Sequence, residues 1–285
     1  MSILIGKNTR VLVQGMTGRE GRTAAEQMIA YGTDVVGGVT PYKGGEWGVR
    51  GRPVFDSVRS AVNATEANAS LITVAAPQAV DAIYEAVDAG IGLIACITEG
   101  IPMLDMMRLI DVLRTTSTRL IGANSPGLLA PEQSSLGIVP GYITRRGSIG
   151  IVSRSSSLMY EIAYGLTIRG FGQSTLVGIG GDPVIGTTFV DILDLFEEDL
   201  ETEQIILIGE IGGDLEQQAA DFIKTRMTKP VYGLVVGHSA PHRVRMGHAG
   251  ASIERAEETA AAKVSALRAA GVRTADTLAE LFALF

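Results

Sequence analysis

TRVLVQGMTGREGRTAAEQMIAYGTDVVGGV, residues 9–39, decides the fold. Residues 9–15 form an apolar run of buried-strand length. Residues 20–31 carry apolar side chains at helical spacing and are closed by Gly32, the residue type that most readily ends a helix in the left-handed conformation. Asp34–Val39 is a second short apolar run. Strand, glycine-rich turn, helix and strand make a βαβ unit, which requires the two strands to be parallel.

The alternation continues along the chain. Residues 67–74 and 92–97 read as buried strands around a helical pattern at 79–89, and a helix at 103–115 precedes a strand beginning at Arg119–Ile121. Residues 124–147 (NSPGLLAPEQSSLGIVPGYITRRG) have little period of either kind and read as a domain junction. A second series follows, with strands at 148–152, 175–180, 204–209 and Val231–Val236. Its helices fall at 156–169, 189–196, Leu215–Arg226, 254–270 and from 278 onward. Strands this apolar imply parallel sheets covered on both faces, hence two doubly wound α/β domains. We place them at 1–125 and 148–285, joined by 126–147.

Composition narrows the function classes. With 285 residues the chain is long enough for two domains, and its 46% hydrophobic and 19% charged residues exclude a disordered chain. There are 24 Lys plus Arg against 31 Asp plus Glu, a net charge of −7 with no basic run, so neither nucleic acid nor an anionic membrane is an expected partner. No apolar stretch approaches the ~20 residues that span a bilayer. One cysteine, Cys96, leaves no internal disulfide or multi-cysteine metal cluster, and a cytoplasmic location is expected.

In doubly wound sheets ligands bind beyond the carboxyl ends of the strands. The first such loop holds Gly15, Gly18 and Gly21, where backbone amides at a helix start suit a phosphate. An NAD site calls for an acidic residue at the end of the second strand. This chain has Lys43 there, which suits an additional phosphate such as that of NADP or the 3′-phosphate of coenzyme A. Thr98 and Glu99 end a buried strand and either contact a ligand or, in the case of Thr98, cap the next helix. Ser153, Arg154, Ser155, Ser156 and Ser157 follow another strand. One serine caps a helix, and a cap is part of the reading; four serines and an arginine exceed that need and suit an anion.

The loop at 237–252 is long for a βα connection and holds all three histidines, His238, His242 and His248. Their spacings of 4 and 6 do not place them on one helix face, so no metal site is expected. His248 lies among small residues with Arg243 and Arg245 nearby, as a nucleophile that carries a phosphoryl group would. Glu210, at the end of the 204–209 strand, is the candidate to orient its imidazole.

The segments LVQGMTG, AYGTDVVGGVTPYKGG, ITEGIPMLDM, GIVSRSSSLMYE, GFGQSTLVGIGGDP, IGEIGG and RMGHAGA give the chain, over its whole length, a resemblance to the succinyl-CoA synthetase α-subunit family. The resemblance implies a CoA-binding Rossmann domain followed by a flavodoxin-like ligase domain. Thr17, Gly18, Arg19, Glu20, Lys43, Ile97, Thr98 and Glu99 would bind coenzyme A. His248 would be phosphorylated with Glu210 as its partner, and the helix starting near Ser155 would hold the phosphate. The acid would meet Asn124, Ser125, Pro126, Gly127, Ser155, Ser156 and Tyr160. The resemblance also implies an ATP-grasp β subunit, in an αβ or α2β2 assembly, which would bind ATP or GTP with Mg2+.

The chain departs from the family pattern in places. Ser125 stands where the family has cysteine in GPNCPG, and Ser153–Ser157 reads SRSSS in place of SRSGT. Both changes are expected to make the acid pocket more polar, leaving malate or sulfoacetate as alternatives to succinate. A non-catalytic CoA- or dinucleotide-binding regulatory protein is the rival class. The RMGHAGA loop with Glu210 separates the two, because a binding module has no need of either.

Overall fold

The computed structural model describes residues 2–285. The amino-terminal half begins β1 (Arg10–Gln14), α1 (Arg19–Tyr31), β2 (Asp34–Val39), β3 (Val54–Phe55), α2 (Val58–Thr65) and β4 (Ala69–Ile72). It continues with α3 (Ala76–Asp88), β5 (Leu93–Cys96), α4 (Met103–Leu113) and β6 (Arg119–Ile121). Its six strands pair in parallel in the order β3-β2-β1-β4-β5-β6, the dinucleotide-binding order. The opening stretch folds as its pattern requires. Gly32 ends α1 with φ 101°, and the amides of Gly32 and Thr33 bond back to Ile29 and Met28. Gly21 is needed where α1 crosses β1, since a Cβ there would collide with the Gly15 carbonyl.

The second half comprises β7 (Gly127–Ala130), β8 (Ser134–Gly137), β9 (Arg146–Ser153), α5 (Ser156–Ile168), β10 (Gln173–Gly178), α6 (Phe189–Glu198) and β11 (Gln204–Glu210). It closes with α7 (Leu215–Arg226), β12 (Val231–Val236), α8 (Ala260–Ala269), β13 (Arg273–Ala275) and α9 (Leu278–Phe282). The sheet order is β13-β12-β11-β9-β10-β7-β8. Its five parallel strands follow the flavodoxin-like order, with an antiparallel hairpin added beside β10.

That hairpin corrects the sequence reading of 126–147 as a periodless junction and of both sheets as wholly parallel. The strands β7 and β8 are too short to show a period. They pair tightly because Gly127 and Gly137 let the backbones approach, and a Cβ at either would collide with the neighbouring strand. β3, α2 and β13 were likewise missed, being short elements under tertiary control. The expected helix at 254–270 begins only at Ala260. Thr259 caps it, and the Glu258 carboxylate accepts the Glu254 and Arg255 amides at 2.7 and 3.1 Å, holding the preceding residues in a turn.

The core is aliphatic on both sides of each sheet, with Phe189 and Phe196 of α6 fully buried. Strand order reverses between β1 and β4 in the first sheet and between β9 and β11 in the second. Those two crevices are where ligand sites are expected.

Candidate active site

At the first switch point a cleft of about 470 Å³ is lined by Glu20, Thr73–Ala76, Ile97, Thr98, Glu99, Asn124 and Ile138. A larger one, about 770 Å³, opens at the opposite, amino-terminal ends of β1, β4 and β5, away from both crevices. Gly18 caps α1 without a side-chain bond, so the first-turn amides lie open beside the smaller cleft. Thr17 Oγ1 reaches Thr40 Oγ1 at 3.2 Å, tying the turn to the end of β2. Arg19 and Glu20 form an exposed ion pair at 3.0 Å. Thr98 does not cap α4, whose cap position is Pro102. Its hydroxyl donates to the Val74 carbonyl at 2.6 Å and binds two strand ends together. Lys43 is exposed on the turn after β2, outside the lining of the cleft.

The second crevice holds His248. The loop is pinched by Arg243 N–H to Ile253 O (2.9 Å) and Met246 N–H to Ala251 O (2.8 Å), with His248 near its tip. The Gly250 amide donates to Gly181 O at 2.9 Å, and a Cβ on Gly181 would sit 2.5 Å from the His248 ring. Glycine is required there because the His248 side chain packs directly against the turn after β10. Nδ1 of His248 is 2.8 Å from Glu210 Oε2 at the end of β11. Glu210 is 5% exposed, while the His248 side chain remains partly exposed, so the carboxylate meets the ring from the buried side. That hydrogen bond raises the His248 pKa, against the opposing effect of burial and of Arg154. With the proton held on Nδ1, Nε2 keeps its lone pair.

Arg154 is a correction. Expected to add charge to a phosphate site, it is instead 3% exposed and turned inward. Nη2 meets Glu210 Oε1 at 3.2 Å, and Nη1 meets Gly212 O at 3.0 Å and Glu216 Oε1 at 3.4 Å. Sequence reasoning also missed Glu216, Lys263 and Asp182. The signal available for Lys263 was a lone cation in the small, apolar run 260–267, AAAKVSAL.

Asn124 links the two crevices. It lines the first cleft, takes the Thr98 carbonyl with its amide at 2.9 Å, and donates Nδ2–H to Asp182 Oδ1 at 3.0 Å. Asp182 follows Gly181, against which His248 packs, and burial raises its pKa. Ser155 caps α5, accepting the Leu158 amide at 3.4 Å, and Ser156 opens the helix. The Tyr160 hydroxyl is buried without a hydrogen-bond partner among the described residues, and burial pushes its pKa up to about 12.

Ser125 stands differently from the expectation of a polar acid pocket. It is 2% exposed; its hydroxyl donates to Gly178 O at 2.5 Å and accepts the Gly127 amide at 2.8 Å. Pro126 packs against Gly178, and Gly127 begins β7. Cys96 is buried and its pKa is pushed up to about 12 by burial, which removes it as a nucleophile.

Comparison with known proteins matches both halves of the chain. A family model described as CoA binding domain matches residues 6–100, and one described as CoA-ligase matches residues 152–273. Succinate–CoA ligase (ADP-forming) subunit alpha 1 of Archaeoglobus fulgidus is 52% identical over 281 residues, 99% of this chain and 96% of that protein. The corresponding α subunit of Staphylococcus aureus (strain Mu50) is 50% identical over 281 residues, 99% of this chain and 93% of its own length. Among solved structures, ATP citrate lyase from Methanothrix soehngenii in complex with citrate and coenzyme A superposes with TM-score 0.90 at 24% identity, over 99% of this chain and 50% of that one. Acetyl-coenzyme A synthetase 1 of Ca. Korarchaeum cryptofilum gives TM-score 0.78 at 18% identity, over 97% of this chain and 60% of that one. The chain thus spans between half and two thirds of these structural neighbours, which share the fold. Full-length identity of 50–52% to two curated α subunits, joined to the paired CoA-binding and CoA-ligase matches, establishes that the chain belongs to the succinate–CoA ligase α-subunit family and is a subunit of an acid–CoA ligase.

Proposed function

We propose that His248 Nε2 carries a phosphoryl group from a nucleotide on an ATP-grasp β subunit to a short dicarboxylate, succinate by default, whose acyl phosphate then acylates coenzyme A. The observation that carries this reading is the 2.8 Å contact between His248 Nδ1 and the buried Glu210 carboxylate, which leaves Nε2 as the free nucleophile. ATP or GTP with Mg2+ supplies the phosphoryl donor from the partner's side of an αβ or α2β2 assembly.

The roles of this chain follow from charge. Attack by Nε2 forms an N–P bond, breaks the bond to the nucleoside diphosphate and leaves the imidazole cationic, which the Glu210 carboxylate balances. The α5 amides at Ser155 and Ser156 receive the phosphoryl oxygens. Transfer to the acid's carboxylate oxygen restores neutral histidine and turns a poor leaving group into phosphate. The CoA thiolate then attacks the acyl carbon, and phosphate departs.

The cleft residues suit coenzyme A. Open amides at Gly18, Arg19 and Glu20, with the Thr17 hydroxyl, take the pyrophosphate. Lys43 takes the 3′-phosphate, and Ile97, Thr98 and Glu99 bind the remainder. The thiol end is directed past Asn124 toward His248. Asn124, Ser156 and Tyr160 contact the acid, with Ser125, Pro126 and Gly127 behind them. Because the Ser125 hydroxyl is committed to Gly178 and Gly127, it offers no reward to an oxygen-rich acid, and succinate is the preferred substrate over malate or sulfoacetate.

The test is a panel of carboxylic acids offered to the co-purified α and β subunits, scored by CoA-dependent release of nucleoside diphosphate. Succinate should give the highest catalytic efficiency. Sustained release beyond one equivalent per His248 that needs no coenzyme A, or none with any short acid, would contradict the assignment.

A further inference from the structure

The His248–Glu210 contact is the outer end of a buried chain of ionised groups whose inner half has no part in the transfer described above. Glu216, in the first turn of α7, and Lys263, on α8, both have 0% exposure. Glu216 Oε1 accepts the backbone N–H of Glu210 at 3.0 Å and faces Arg154 Nη1, while its Oε2 pairs with Lys263 Nζ. Lys263 Nζ also donates to the carbonyls of Glu210 at 2.9 Å and Gly212 at 2.6 Å. Both backbone polar groups of Glu210 therefore end on the Glu216–Lys263 pair. So does the far edge of the guanidinium that meets its carboxylate.

Packing alone does not call for this pair. The buried neighbours on α7 and α8 are Ala219, Ala220, Ile223, Val264 and Leu267, and apolar residues of similar volume would hold the two helices together without desolvating two charges. Every hydrogen bond of the Lys263 ammonium goes instead to Glu216 or to the turn that carries Glu210.

We propose that Glu216 and Lys263 are positioning residues for His248, fixing the Glu210 carboxylate beneath Nδ1 and setting how far Arg154 shares its charge. The inference rests on the phosphohistidine reading for its catalytic consequence, but the geometry concerns the free imidazole. The charged groups around that ring are Glu210 from β11, Arg154 after β9 and Asp182 after β10. Behind them stand Glu216 from α7 and Lys263 from α8, with Glu99 beyond Asp182. Removing the negative charge of Glu216 leaves two cations competing for Glu210 and weakens its hold on the His248 proton. Removing the positive charge of Lys263 does the reverse. Opposite signs follow from charge alone, so the positioning role is read in the Nδ1–H fraction of the paired variant, where the two charges cancel.

The experiment is a 15N-imidazole NMR titration of the full chain, with the His248 signals assigned by their loss in His248→Asn. In the wild type the proton should sit on Nδ1, with a titration midpoint above that of an unperturbed histidine. Glu216→Gln should lower the midpoint by about half a pH unit or more, and Lys263→Met should raise it by a similar amount. The paired variant should return close to the wild-type midpoint with a smaller Nδ1–H fraction. Single variants that move the midpoint in the same direction, or leave it in place, overturn the proposal. Should a single variant fail to fold, the paired, charge-neutral variant decides: loss of the Nδ1–H preference supports the proposal, and full retention overturns it. No nucleotide or partner enters the measurement, so its outcome stands apart from whether His248 takes a phosphoryl group.

Discussion

Replacing Glu210 by glutamine separates charge from shape at the site. The side chain keeps its volume, and the amide oxygen still accepts the Nδ1 proton, so the tautomer with a free Nε2 survives. What disappears is the buried negative charge 2.8 Å from the ring and 3.2 Å from Arg154. A charge-assisted hydrogen bond contributes about 1.5–3 kcal/mol, and that amount is withdrawn from the transition state in which imidazole becomes cationic. At about 1.4 kcal/mol per decade, phosphorylation should slow by about 10- to 150-fold. The pH dependence carries the sign. Glu210 raises the His248 pKa in the folded protein. The pair therefore stabilises the fold fully below the unfolded-state histidine pKa, and that contribution fades as pH rises through the folded value. Glu210→Gln should lower the melting temperature most in acid and should shift the rising limb of phosphorylation against pH to lower pH. The assay is quench-flow incorporation of terminal phosphate from labelled nucleotide in the αβ complex. An unchanged plateau rate with an unmoved limb would refute the reasoning.

Lys43→Ala should raise the KM for coenzyme A by about 10- to 150-fold and leave that for dephospho-CoA nearly alone, because the lysine is assigned to the 3′-phosphate. Equal effects on both ligands would place it elsewhere. Ser125→Ala strands the buried Gly127 amide and Gly178 carbonyl and should cost about 1–3 kcal/mol in denaturant unfolding, while the succinate-to-malate efficiency ratio stays put. A change of about tenfold in that ratio would return the hydroxyl to the acid pocket.

Legibility in the sequence followed the range of the interactions. The β1–α1–β2 unit was readable because its determinants are local: continuous apolar strands, helical spacing and a left-handed glycine at 32. The β7–β8 hairpin was not, since its short strands are held against β10, where Leu129 pairs with Leu176, far along the chain. His248 and Glu210 were legible from the rule that strand ends converge on a site, together with an overlong loop. Arg154, Glu216 and Lys263 were not. Arg154 looked like a ligand for an anion until its partners Glu210 and Glu216 were in place, and Glu216 and Lys263 looked like solvated helix surface until the packing of α7 on α8 removed their water. Ser125 shows the same limit from the other side: its type suggested a ligand contact, and only the position of Gly178 reveals where the hydroxyl points.

The central claim is tested most directly by incubating the αβ complex with γ-labelled ATP and locating the phosphate on this chain. One acid-labile, base-stable phosphate per chain is predicted, at His248, absent in His248→Asn and discharged by succinate with coenzyme A. Label on a serine, or label that survives His248→Asn, would contradict it.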